Sequence, residues 1–473
     1  MAVNQLMQAH DEFFDGTGGI ITYGGWVPGT MIIYADGHID LDRPSRPPAP
    51  STPSVEINVL PPSFLPIDFD GDYHNDFLYG EAEDLAAEVN YTGTSGFTIV
   101  SYSASTSGLV ASLSEPSINT GDAKGDTYGP SVEGLGGTAF NDVLYGSNLG
   151  NILLGGAGAD QLFGLGGDDR LFGDGGNDTV DGGYGNDVLS GNTGNDVLFG
   201  RYGNDWLDGG GGNDHLDAGE DNDVIFGAGG DDTIIGWTGN DILAGGIGAD
   251  SLDGGDGFDT AVYSSTTSGI RVSLMNPSIN TGEAQGDVFV SIEGLQGTTY
   301  SDMLQGNGAA NELQGLGGND ELLGGAGADT LDGGASYDTL VGGDGSDVLS
   351  GSSGRDVFRF DWTLGSSNVD TITDFNVTEG DKIELETHVF RKFPDVVVEE
   401  TDDGLIVYNS QLQATQFKIG SEATTAAHRI IYNSTTGALF YDADGTGAGV
   451  QVQFAQLKAG LALSASSFGL YTL

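Results

Sequence analysis

The chain has 473 residues, of which 70 are acidic and 14 basic, for a formal charge of −56 at pH 7. Such an excess repels nucleic acid and anionic membrane surfaces and makes cations the natural counterpart. With no Cys, disulfides, thiolate zinc sites and thiol nucleophiles are excluded together, while 82 Gly make collapse costly in entropy unless something neutralises the charge.

Residues 1–66 open the chain. They are aromatic and Gly-rich without a clear period up to Arg43, the first basic residue, so a positively charged leader peptide is not expected. Residues 44–66 hold eight Pro and read as an extended linker. No stretch anywhere approaches the roughly 18 consecutive apolar residues of a membrane span.

Residues 67–136 comprise an acidic turn and a strand-like leader. "DFDGDYHND" offers Asp68, Asp70, Asp72 and Asp76 as oxygen ligands, but Tyr73 stands where an EF-hand loop needs Gly and Tyr79 where it needs Glu. A solvated acidic turn is the plainer reading.

From Gly137 to Val262 the chain repeats a nine-residue phrase fourteen times. Its sixth place reads Asp142, Asn151, Asp160, Asp169, Asp178, Asp187, Asp196, Asp205, Asp214, Asp223, Asp232, Asp241, Asp250 and Asp259. The eighth place is Leu, Ile or Val except at Ala261, and the first is Gly except at Ala218. Residues 297–359 resume the register for seven units, with Asp302, Asn311, Asp320, Asp329, Asp338, Asp347 and Asp356 in sixth place.

The aliphatic residue returns too rarely for an amphipathic helix or a long strand. A six-residue turn followed by a three-residue strand fits, with the eighth place facing inward and Gly, and then the fifth-place Asn, taking the positive φ of the turn. Two units make one flattened coil, so fourteen give seven coils and a stack of about 34 Å. Stacking sets each Asp beside the Asp two units on, tolerable mainly with a cation between them. Turn carbonyls and carboxylates suit calcium better than magnesium. A low-complexity spacer would not hold this register.

These units resemble the "GGxGxDxUx" nonapeptides of RTX (repeats-in-toxin) proteins, a repeat whose link to calcium is general knowledge of such sequences. The resemblance implies an all-β chain folded as a parallel β-roll, a right-handed β-helix-like solenoid, with several Ca2+ ions in its turns. Carried over unit by unit, it makes the nineteen sixth-place Asp residues the expected ligands. Asn151 and Asn311 lose the charge and are expected to form weaker sites, and Glu220 and Asp221 disturb another. At most about twelve sites in the first array and five in the second are expected.

Residues 263–296 separate the arrays. "TSGIRVSLMNPSINTGEAQGDVFVSIEGL" copies "TSGLVASLSEPSINTGDAKGDTYGPSVEGL" of residues 106–135, so one block was duplicated whole and each leader is expected to extend the stack with a wider loop. In residues 360–473 Gly thins and strand alternation returns, which predicts a β-sheet cap over the roll end. This region is similar to the C-terminal regions of serralysin-type proteases and other type I secretion substrates. That resemblance implies a secretion apparatus as partner and an extracellular or cell-surface location, with calcium outside the cell completing the fold.

For catalysis, the six His lack HExxH spacing and no GxSxG occurs. His215 falls in an outward seventh place. The expectation is a non-catalytic, secreted calcium-binding protein with a structural or adhesive role, through self-association or contact with surface glycan or matrix. The alternative is an accessory or module of a secreted enzyme or toxin, polysaccharide-processing or protease-like, with its activity in the N-terminal region.

Overall fold

The computed structural model describes residues 98–473 apart from 264–265, 392, 394–398, 401–405, 408–409, 448 and 473, together with strands Asp76–Tyr79 and Asn90–Tyr91. The described residues belong to the second of two units, Pro66–Leu473. The linker and Asp68, Asp70 and Asp72 lie outside them.

Successive nonapeptides alternate between two parallel sheets. On the first face Ile152–Ala157, Arg170–Gly175, Val188–Ser190, Trp206–Gly211, Val224–Gly229 and Ile242–Ile247 pair in turn, with Leu153, Leu171, Leu189, Leu207, Ile225 and Leu243 in register. On the second face Gln161–Gly166, Thr179–Tyr184, Val197–Tyr202, His215–Glu220 and Thr233–Gly239 do the same, aligning Leu162, Val180, Leu198, Leu216 and Ile234. All these eighth-place side chains are fully buried, so the core is two aliphatic columns pressed together between the sheets. An all-β parallel solenoid results; among the described residues the only helices are 3-10 turns of three residues.

The strands are longer than the sequence suggests. Gln161–Gly166 runs from the seventh place through the third place of the next unit, leaving only three residues for the turn. The first-place Gly is therefore a strand residue, and its lack of a side chain serves packing: a β-carbon at Gly164 would fall 2.2 Å from Asp169 Oδ2 and 2.6 Å from the Gly182 carbonyl oxygen. Positive φ belongs to the second and fourth places, as at Asp174 (67°) and Gly185 (133°). The fifth-place Asn serves another purpose: Asn186 Oδ1 accepts the Asn204 N–H at 2.8 Å and Asn195 Oδ1 that of Asn213 at 2.9 Å, linking turn to turn.

The leader is spliced into the stack. Thr260–Val262 pairs with Gly294–Gln296, which pairs with Glu312–Gln314, so the first sheet passes unbroken through both arrays. On the second face Val288–Val290 pairs with Ser251–Asp253, whereas Arg271–Ser273 pairs with Met303–Gln305, and no ladder joins the two leader strands. The first copy repeats the plan: Thr98–Ser101 pairs with Gly134–Gly136 and Val110–Ser112 with Val143–Ser147. A buried Tyr locks each copy, Tyr102 donating to Asp126 Oδ2 at 2.7 Å and Tyr263 to Asp287 Oδ2 at 2.8 Å.

Beyond the arrays the rungs continue before they close. Lys382–Glu386 stacks in parallel on Val357–Phe360 and receives Phe468–Tyr471. On the first face Asp370–Ile372 receives Val452–Gln456, to which Ala438–Tyr441 and then Ile430–Tyr432 add in antiparallel order. Phe360, Phe390 and Phe454 fill the interior with edge-to-face contacts at 5.2 Å, replacing the aliphatic columns by rings.

Candidate metal centre

The xUx strand that buries an eighth-place Leu also fixes the sixth-place side chain, two residues earlier, at the inner corner of the turn. Every sixth-place Asp of both arrays is at most 4% exposed. They form two columns, one along each edge of the roll. In each column Oδ1 of one Asp accepts the backbone N–H of the Asp one coil earlier: Asp187 N–H to Asp205 at 2.7 Å, Asp205 N–H to Asp223 at 2.7 Å, Asp320 N–H to Asp338 at 2.8 Å. The repulsion expected between stacked carboxylates is thus partly offset by a backbone dipole between them.

The other oxygen has no such partner. In sixteen of the nineteen Asp residues Oδ2 is buried without a hydrogen bond. Fifteen of the sixteen point at the glycine that opens their own unit, several of them beside a carbonyl of the next coil: a β-carbon at Gly200 would fall 2.4 Å from both Asp205 Oδ2 and the Ala218 carbonyl oxygen, and one at Gly236 would fall 2.3 Å from Asp241 Oδ2 and 2.6 Å from that of Gly254. A buried unpartnered carboxylate oxygen costs several kcal/mol unless it is protonated or meets a cation. Burial first, and neighbouring carboxylates second, push Asp223 up to about 9; burial also lifts Asp205 and Asp320 to about 8 and Asp187 to about 7. Among the described residues no three acidic or imidazole side chains converge, so a cation here rests on carbonyls as well as carboxylates. Hard oxygens in that mixture are the donor set calcium takes.

The ends of the ladder differ. Asp142 and Asp302, which open the two arrays, have both oxygens satisfied: Oδ1 accepts the N–H of Leu109 or Ile270 at 2.8 Å, and Oδ2 that of Thr138 or Thr298 at 2.6 Å. Asn151 and Asn311 have a reason beyond weaker charge. One coil earlier each meets a leader carbonyl rather than a free N–H, and Nδ2 donates to it, Asn151 to Glu133 at 3.1 Å and Asn311 to Glu293 at 3.0 Å. A carboxylate there would face an acceptor. Asn151→Asp is expected to cost about 1–3 kcal/mol, read as a lower denaturant midpoint in calcium; an unchanged midpoint would remove this account. Ala218, Glu220 and Asp221 leave the ladder intact, since Asp223 keeps its bond from Asp205.

Four further acids that the nine-residue count does not reach extend the columns. Asp287 Oδ1 accepts the Asp250 N–H at 3.1 Å and Glu293 Oε2 that of Asp259 at 3.0 Å, carrying the ladder into the second leader. Asp370 accepts from Asp347 at 3.2 Å and Asp381 from Asp356 at 3.0 Å, carrying it into the cap. For Asp370 and Asp381 the signal was the triplet D-x-U, in "DTI" and "DKI". His215 is half-buried on the outer face, its ring edge-on to Phe199 at 6.5 Å.

A parallel solenoid with a buried carboxylate column along each edge, sixteen of whose Oδ2 atoms lack a hydrogen bond, defines a class of cation-dependent repeat proteins. Residues 145–180, 181–216, 208–243, 226–261, 296–331 and 323–358 each match the family model of the RTX calcium-binding nonapeptide repeat (4 copies). Residues 145–261 and 296–358 are thus RTX calcium-binding nonapeptide repeats, and calcium is the ion such repeats bind. No curated protein sequence matches it. None of the described helices is long and apolar enough to cross a membrane.

Proposed function

We propose that this is a secreted protein whose roll folds when extracellular calcium reaches the sixth-place carboxylates, and that it serves as a non-catalytic component of a cell surface or matrix. The row of sixteen buried, unpartnered Oδ2 atoms carries this reading, because a chain so built is frustrated where calcium is scarce and satisfied where it is plentiful. Those sixteen Asp residues are the ligands, with the carbonyls of the facing first-place residues. Asp142 and Asp302, already satisfied, anchor the array ends, and Asp356 hands the ladder to the cap. Export through a type I apparatus agrees with the same physics, since an unfolded acidic chain can thread a channel and fold beyond it. RTX rolls are typically structural, which supports the non-catalytic reading.

Sedimentation velocity of the full chain from chelator to about ten millimolar calcium tests this, a range that covers extracellular calcium sites. A fall in frictional ratio with calcium is expected. Further growth into large particles would support a lattice-forming component, and an unchanged profile would refute calcium-driven folding.

A further inference from the structure

On the second face of the first array the left-handed second place alternates along the stack: Leu165, Gly183, Arg201, Gly219, Trp237, Gly255. Leu165, Arg201 and Trp237 hold φ at 77°, 84° and 74°, a conformation disfavoured for a residue with a β-carbon. The fold accepts glycine at this place, as the alternate coils demonstrate. Leu165 is 39% exposed and Trp237 53% exposed, and the Arg201 side chain stays 45% exposed although it pairs with Asp181. The second place is also left-handed at Asp174, Asn192 and Ala228 on the other face, so it is the size, exposure and regular spacing of Leu165, Arg201 and Trp237 that point to recognition.

The alternation also shapes the surface. A β-carbon at Gly183 would fall 2.5 Å from the Leu165 carbonyl oxygen, and one at Gly219 would fall 2.2 Å from that of Arg201, so these coils stay bare. Large side chains therefore stand on every second coil, about 10 Å apart, with glycine troughs between them. Arg201 is held in place, donating through Nε at 3.1 Å and Nη2 at 2.8 Å to Asp181 Oδ2 and lying 4.3 Å over the Phe199 ring. Beside this row the exposed Tyr184 and Tyr202 stack on each other at 4.7 Å, leaving their outer faces open.

We infer that this ridge binds a neutral, extended, β-1,4-linked polysaccharide running along the roll axis. Such a polymer presents the same flat face at every second sugar, a repeat on the scale of two coils. Trp and Tyr rings stack on the C–H faces of pyranoses, while the free N–H groups of Arg201 meet hydroxyls. Even with a calcium ion at each of the sixteen unpartnered carboxylates the chain stays net negative, which disfavours an anionic polysaccharide and makes the neutral polymer the occupant. The inference rests on the calcium-folded roll proposed above, because the ridge exists only when the coils are stacked.

Co-sedimentation of the full chain with insoluble cellulose in calcium, with circular dichroism of the same samples, tests it against alginate as the anionic control. The wild type is expected to be retained by cellulose and not by alginate. Trp237→Gly is expected to weaken retention about tenfold while melting no lower, since it installs the residue of the alternate coils. A folded wild type that ignores cellulose, a Trp237→Gly variant retained equally well, or binding to alginate alone would each overturn the ridge and leave the calcium reading standing. A chain that stays unfolded in calcium would overturn both.

Discussion

In chelator, acid is expected to fold the roll that calcium folds at neutral pH. In the folded chain burial lifts the ladder carboxyls from an ordinary value of 3.8 to about 6 at Asp160, about 7 at Asp178, about 8 at Asp169 and about 9 at Asp223. A carboxyl whose folded pKa lies above its unfolded value favours folding while both states are protonated, below about pH 4. That contribution is lost as the pH rises through the folded values, here from about 6 to about 9. The slope is therefore opposite to that of a protein held by ion pairs. Circular dichroism in chelator should show the β signal near pH 4.5, just above the ordinary carboxylate values, and its loss by about pH 8. Adding calcium at about pH 8 should restore it, because the ion replaces the protons on the same oxygens. A chelated chain equally folded at both pH values would show that the carboxylates do not govern stability.

Asp205 separates the two parts an Asp plays in this ladder. Asp205→Ala removes the oxygen that accepts the Asp187 N–H at 2.7 Å and leaves a buried donor alone, so it is expected to cost about 1–3 kcal/mol with or without calcium. Asp205→Asn keeps that acceptor and turns the outer atom into a donor beside the Ala218 carbonyl, as Asn151 does against Glu133. In chelator at about pH 8 it is expected to stabilise the chain by about 1–3 kcal/mol, while lowering calcium stoichiometry and flattening the calcium dependence. Urea unfolding in chelator and in calcium, with calorimetric titration for stoichiometry, measures both. If the Asn variant resembled the Ala variant in chelator, Oδ2 would not be the frustrated atom.

Much of this architecture is legible because the nine-residue period leaves one aliphatic and one acid per strand, and their burial follows from side-chain alternation alone. The leaders were harder to read. Asp287 and Glu293 enter the columns only after chain excursions that break the count, and nothing local distinguishes them from other acids in an acidic chain. Asn151 looked like a weakened Asp because its partner, the Glu133 carbonyl, is set by how the leader re-enters the stack. Glycine was assigned to turns from its tolerance of positive φ, yet in the first place it is required by the Asp carboxylate folded against it, a contact made only in three dimensions. The fifth-place Asn was read as a backbone residue when its side-chain oxygen bridges coils. The alternation of Leu165, Arg201 and Trp237 was visible in the letters, but its cost and exposure were not.

The Asp columns also give the roll unlike ends. Each carboxylate reaches back to the amide of the coil before it, so an open N-terminal face would present anionic acceptors and an open C-terminal face bare N–H donors. The chain closes each end with its complement: the first leader sends the Thr98 and Leu109 amides to Glu133 and Asp142, and the cap sends the Asp370 and Asp381 carboxylates to the last two amides. Stripped of those closures, two rolls would match head to tail and clash head to head. The termini of the stack, rather than its length, are what make it a finite particle instead of a polar fibre.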